Sequence, residues 1–209
     1  MITIDFETEG IDGNPVYSPP RPVGVSIKLG DAPSRYYAWG HPTGNNSTFQ
    51  DASTALQTAL EQAAGGVGWL AHNAPFECAV LRKWFGYEAP NPHVVHDTQY
   101  LLFLTDPYAY TFSLKPSAER ILGLPPDERD EVRDWLLAHQ PMKPAGITIA
   151  DTKTETPTRH SWGRYICLAP GDLVGRYACG DTDRTYQLYQ KLMPQVVEQG
   201  MLPAYQREQ

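Results

Sequence analysis

Two acids on one face of a strand, and a third on the buried face of a helix, leave this chain few folds to choose from. From residue 172 to about 193, Leu173, Val174, Tyr177, Asp181, Thr185, Leu188 and Leu192 recur at intervals of three and four. The spacing predicts a helix with Tyr177 and Asp181 one turn apart on an otherwise apolar face. At the other end of the chain, Ile2-Thr3-Ile4-Asp5-Phe6-Glu7 alternates as a strand does, which sets Asp5 and Glu7 on one side. Acids carried toward an interior need a partner. Oxygen ligands brought together from strand and helix point to a divalent metal.

At 209 residues the chain is expected to form one domain with a full core. Hydrophobic residues make up 41 %, and no apolar run approaches the roughly 20 residues of a membrane span. The start carries Asp5, Glu7 and Glu9 and lacks the basic and apolar segments of a secretory signal, so a cytoplasmic protein without membrane contact is expected. Cys78, Cys167 and Cys179 are odd in number and spaced for neither zinc nor a disulfide framework, which fits reduced thiols. The net charge of −7 argues against tight unaided binding to nucleic acid. If nucleic acid is the substrate, a local basic rim and transient contact are expected.

Strands are predicted over 1–7, 23–29 and 35–39, with a proline-rich loop at 14–22 and a turn at Gly30-Asp31-Ala32-Pro33. Asp51 or Ser53 is expected to cap a helix running to about residue 64 with Leu56 and Leu60 inward. A short strand at 67–72 leads into a helix carrying Phe76, Val80, Leu81, Trp84 and Phe85 on one face, and Gly86 ends it. Another strand at 93–96 precedes a helix capped by Asp97, for which capping outweighs metal ligation. Helices follow from Ser113 to Leu122 and from Pro125 or Pro126 to about His139. Residues 141–170 read as an irregular insertion with room for a small hairpin, in which Trp162 and Tyr165 either stack on bases or pack the loop. Pro194 is expected to kink the last large helix or begin a new one, leaving 194–209 as a helical tail. Strands early, alternation in the middle and helices at the end make an α/β layered domain with a mixed sheet.

Three motifs stand in order along the chain: Asp5-Phe6-Glu7, His72-Asn73-Ala74-Pro75-Phe76-Glu77, and Tyr177-Ala178-Cys179-Gly180-Asp181. Together they resemble the proofreading 3′–5′ exonuclease superfamily, and within it the tyrosine branch seen in exonuclease domains of family-A DNA polymerases, especially those of phages. Asp97-Thr98 and Ser113-Leu114-Lys115 also fall where that family has an Asp-Thr and a Ser-Leu, and the resemblance covers about residues 1 to 193. The sequence departs from the pattern at Glu77, where the family has Asp. The resemblance implies a ribonuclease-H-like mixed five-stranded sheet flanked by helices, and one exonuclease domain over 1–209. It implies two Mg²⁺ or Mn²⁺ ions held by Asp5, Glu7, Glu77 and Asp181, with Asp5 bridging both and Glu77 holding the second, directly or through water. Tyr177 would orient the attacking water and help deprotonate it. The backbone near Thr8 would receive the terminal 3′-hydroxyl, Asn73 would contact the terminal nucleotide, and Ile11 would wedge against the last bases.

The expected activity is release of nucleoside 5′-monophosphates from a single-stranded or frayed DNA 3′ end, in the service of a DNA polymerase. Three alternatives stay open: trimming of RNA 3′ ends in the manner of ribonuclease D, a polymerase-associated end-binding module with weakened catalysis, and an endonuclease on the same fold. Tyr205-Gln206-Arg207-Glu208 resembles the helix that leads to the polymerase in family-A enzymes, so two readings stay open: a stand-alone product with a separate polymerase subunit as partner, or a domain excised from a polymerase. If the gene belongs to a phage, the compartment is the host cytoplasm.

Overall fold

A computed structural model describes residues 1–11, 13–125, 127–142 and 156–208. Its centre is a five-stranded mixed sheet of order β3-β2-β1-β4-β5, built from β1 (Ile2–Thr8), β2 (Pro22–Leu29), β3 (Arg35–Ala38), β4 (Trp69–Ala71) and β5 (Val95–Asp97). The first three strands are antiparallel neighbours, whereas β4 runs parallel to β1 and to β5. The middle strand β1 is covered on both faces. Ile2, Ile4 and Phe6 enter a core shared with Leu56 and Ala59 of α1 (Phe49–Ala64) and Val80 of α2 (Ala74–Val80). The alternation of the pleat turns Thr3, Asp5 and Glu7 to the other face.

Across that second face lies α6 (Gly171–Glu198). Ser26, directly opposite Asp5 in the ladder, shares a 2.9 Å hydrogen bond with Thr182, and Lys28 pairs with Asp183 at 2.9 Å. Both contacts set the height of α6 over β1 and β2, and therefore where Asp181 comes down. The far half of α6 packs Leu188, Leu192 and Val196 against Leu101 and Leu102 of α3 (Thr98–Thr105) and Ala118 of α4 (Leu114–Leu122). Each fully buried leucine there contributes about 1.5–3 kcal/mol. The near half packs with Val132 and Leu136 of α5 (Asp127–His139) and a 3-10 segment, Trp162–Leu168. Tyr205 of α7 (Leu202–Glu208) is buried and its hydroxyl is 2.9 Å from His96 Nδ1, which docks the C-terminal helix on the core. Among the described residues no helix is long and apolar enough to cross a membrane.

Several boundaries differ from the sequence expectation. The cap of α1 is Thr48, whose hydroxyl accepts from Asp51 N–H while the Asp51 carboxylate accepts from Thr48 N–H. Asp51 is thus the partner in the capping box and not the cap. After α2 the chain widens into a π-helical turn, Leu81–Phe85, and only then stops at Gly86 with φ +70°. The strand expected at 93–96 sits slightly later, because Asn91 first closes a 3-10 turn at Pro92–Val94. Pro194 does not begin a new helix: it lies inside α6, which continues to Glu198. Its missing N–H and ring clash cost about 3 kcal/mol, offset by the burial of Leu192 and Val196 on either side of it. Within 141–170, residues 143–155 lie outside the described part; the later stretch contains the 3-10 segment Trp162–Leu168, with Tyr165 wholly buried and packing the core.

One core polar contact carries a pH prediction. His41 is buried, with Nε2 2.8 Å from the Tyr36 hydroxyl and Nδ1 2.9 Å from the Ala169 carbonyl. Burial lowers its pKa to about 4 against the upward pull of two backbone hydrogen bonds. The unfolded chain therefore takes up this proton near pH 6.5 and the folded chain does not, so stability is full above 6.5 and is lost as pH falls toward 4. The loss reaches about 3 kcal/mol. The buried acids described below pull the other way, so the measure is the difference in unfolding free energy between wild type and His41→Gln. That difference is expected to shrink by about 2–3 kcal/mol between pH 7.5 and 4.5, and a constant difference refutes it.

Candidate metal centre

Asp5 and Glu7 leave the same face of β1, and α6 lowers Asp181 onto them. One carboxylate oxygen from each lies within 4.8 Å of the others, and this is the acidic group among the described residues in which such a meeting occurs. Glu7 and Asp181 are buried and Asp5 is half-buried. Tyr177, one turn before Asp181, lies beside them with Glu7 along a cleft of about 840 Å³. The same cleft is bounded by Thr8, Ile11, Phe76 and, from the 3-10 segment, Arg164.

Glu77 comes close to Asp5 without joining the three-acid group. The pairing of β1 with β4 ends at Thr3, which leaves the N–H of Phe6 without a neighbouring strand on that side. Glu77 Oε2 accepts it at 3.0 Å, so the acid satisfies a donor that the sheet would otherwise bury unpaired. Asn73, at the left-handed position before α2 with φ +69°, is absent from the cleft lining. Its N–H and that of Ala74 donate to the two oxygens of Asp97 at 3.0 and 2.9 Å, and Gln99 N–H donates to Asp97 at 2.8 Å. Asp97 thus caps α3 and clamps the turn before α2.

Two basic residues complete the centre. Lys115, in the first turn of α4, is buried, and its Nζ donates to both oxygens of Asp181. The same ammonium stands 3.8 Å from the centroid of the Tyr177 ring. Sequence reading took Lys115 only as part of the Ser-Leu-Lys marker. The signal for its inward position is the spacing Lys115, Ala118, Leu122, which aligns it with the apolar face of α4. Arg184, likewise buried, donates to Glu128 and to the Pro125 carbonyl at 2.6 Å and stands 3.8 Å from Asp181. A side chain at Gly180 would meet the ends of Arg184 and Glu128 at 2.7–2.8 Å, so this ion pair would have to shift to admit one.

The electrostatics are those of a cage short of positive charge. Burial, then the neighbouring Asp181, raises the Asp5 pKa to about 8 against the pull of Lys115. Glu7 is raised by burial and by Asp5 and Asp181, and Glu77 by burial and by Asp5. Burial works against the charge of Lys115, but Asp181 and Tyr177 outweigh it and hold the ammonium above the usual lysine range. Burial also lifts the Tyr177 phenol above its ordinary value although Lys115 opposes it. At neutral pH, and with no ion bound, Tyr177 is therefore a phenol able to donate a hydrogen bond. Oxygen-only donors, buried, negative and already holding one ammonium, fit a small hard cation such as Mg²⁺.

No protein-family model and no curated protein matches the chain. Solved structures do. A structure described as the apo form of a nuclease aligns with 99 % of this chain and 77 % of its own at TM-score 0.61 and 20 % identity. Brucella melitensis NrnC aligns over 99 % and 78 % at 0.60 and 20 %, and it has also been solved with bound Mg²⁺ and bound to pGG. Escherichia coli RNase D, described as an exoribonuclease involved in structured RNA processing, aligns over 99 % of this chain but 42 % of its own, at 0.58 and 18 %. At such identities the likeness is one of fold: the chain has the ribonuclease-H-like α/β architecture that these nucleases share, with its mixed five-stranded sheet flanked by helices.

Proposed function

We propose that this chain is a metal-dependent 3′–5′ exonuclease that hydrolyses phosphodiester bonds at single-stranded or frayed DNA 3′ ends. The observation that carries it is the meeting of Asp5, Glu7 and Asp181 oxygens within 4.8 Å beside Tyr177 at the cleft. Asp5, Glu7 and Asp181 would hold the first ion, and Asp5 with Glu77, directly or through water, the second. When bound, two Mg²⁺ or Mn²⁺ ions supply charge neutralisation at phosphorus and a more acidic attacking water.

The chain's own residues do the positioning. The Tyr177 hydroxyl, kept protonated by burial, orients the water by donating a hydrogen bond. Thr8 lines the cleft next to Glu7, where its backbone would receive the terminal 3′-hydroxyl, and half-exposed Ile11 would pack against the last base. Asn73 lies off the lining and would reach the terminal nucleotide only from the rim. Arg164, facing across the cleft, places positive charge along the strand. Water adds across the P–O3′ bond, releasing a nucleoside 5′-monophosphate and a new 3′-hydroxyl. A separate DNA polymerase as partner would supply the strand affinity that a net charge of −7 withholds.

RNA is the second reading, favoured by the likeness to RNase D and to NrnC bound to pGG. Matched 5′-labelled DNA and RNA strands separate the two, with the faster ladder of single-nucleotide steps naming the substrate. EDTA is expected to stop the ladder, and a closed circular single strand is expected to survive. Cutting of the circle, or intact linear strands in both Mg²⁺ and Mn²⁺, refutes the assignment.

A further inference from the structure

We propose that Lys115 is an internal counter-ion that competes with the divalent cation for Asp181, and so sets the ion concentration at which the site loads. The inference rests on the metal centre proposed above. Both Asp181 oxygens accept from the Lys115 ammonium. A divalent ion that takes Asp181 as a ligand therefore meets the ammonium at whichever oxygen it binds, and like charge pushes Lys115 away. The lysine cannot retreat to water, because the residue is 9 % exposed and its stem is fixed in the first turn of α4.

It can shift over the face of Tyr177, whose ring centroid is already 3.8 Å from Nζ. Even there the displaced charge stays within a few ångströms of the incoming ion, in a site where burial keeps electrostatic forces strong. The second buried cation does not serve this purpose. Arg184 is committed to Glu128 and the Pro125 carbonyl at 2.6 Å and stands 3.8 Å from Asp181. Lys115 thus does two opposed things: it holds the acids together when the ion is scarce and weakens the ion's hold when it is bound. It is a positioning residue in this scheme.

The test is thermal melting of the full chain, stripped with chelator and titrated with Mg²⁺ or Mn²⁺, for wild type, Lys115→Met and Lys115→Arg. Lys115→Met keeps the length of the side chain and removes its charge. It is expected to melt below wild type in chelator, gain more from the ion, and reach half-saturation at a concentration roughly tenfold lower (about 1.4 kcal/mol). Lys115→Arg keeps the charge and is expected to stay within about threefold of wild type. If Lys115→Met does not fold in chelator, protein prepared in Mn²⁺ and diluted gives the same comparison by electron paramagnetic resonance of released ion, with slower or smaller release expected. Equal half-saturation in wild type and Lys115→Met overturns the inference and leaves Lys115 as a packing ion pair. A wild type that no divalent ion stabilises overturns the metal centre itself, a different pattern.

Discussion

Asp5→Asn is expected to lower Mg²⁺-dependent hydrolysis of a labelled single strand by about 10³-fold or more while leaving the fold as stable as wild type. The size follows from what the ligand set supplies: charge stabilisation of several kcal/mol at phosphorus, at tenfold per 1.36 kcal/mol. Asp5 is the residue at which Glu7, Asp181 and Glu77 converge. An amide there has the same shape but neither the charge nor the second strong acceptor. Stability is expected to hold or rise because burial penalises the Asp5 carboxylate, which drives its pKa up to about 8. That combination separates lost chemistry from lost structure. Degradation at the wild-type rate by a well-folded Asp5→Asn would remove the metal centre from the account.

Gly24→Ala should lower the unfolding free energy by about 3 kcal/mol and the melting temperature by about 6–12 °C. A methyl group at Gly24 would fall 1.9 Å from the Tyr36 hydroxyl and 2.1 Å from the ring carbon that bears it. Tyr36 cannot yield easily, since its hydroxyl is 2.8 Å from His41 Nε2 and its ring faces Gly175 of α6, where an added Cβ would meet it at 3.1 Å. Moving the ring breaks a buried hydrogen bond and leaves the imidazole unsatisfied, which adds about 1–3 kcal/mol. Gly24 stands opposite Glu7 in the β1–β2 ladder, so activity is expected to fall as well. Tyr36→Phe removes the oxygen nearest the clash, and the double variant should recover part of the loss relative to Gly24→Ala alone. A melting temperature within 2 °C of wild type for Gly24→Ala would show that the ring moves freely.

Local patterns carried much of this fold. The turn at 30–33 announced β2 and β3, and Ser113 and Gly123 bounded α4 where the structure has it. These features depend on neighbours a few residues away. What the sequence left open was decided by distant residues. Pro194 stays within α6 because its flanking side chains are buried against α3 and α4. Tyr165 packs because α5 and α6 cover it. Glu77 turned out to bond the Phe6 N–H because β4 is only three residues long, and neither stretch reveals the other's length.

Alternation alone put Asp5 with Glu7, and helical spacing alone put Tyr177 with Asp181, because both follow from backbone geometry repeated every two or 3.6 residues. Whether the two pairs face each other was settled by Ser26 and Thr182, which hold α6 over β1 and β2 at one height. Lys115 enters the same space from α4, and its charge matters only because it lands on Asp181. Periodicity is a property of one segment, whereas a cluster of charges depends on how several segments pack.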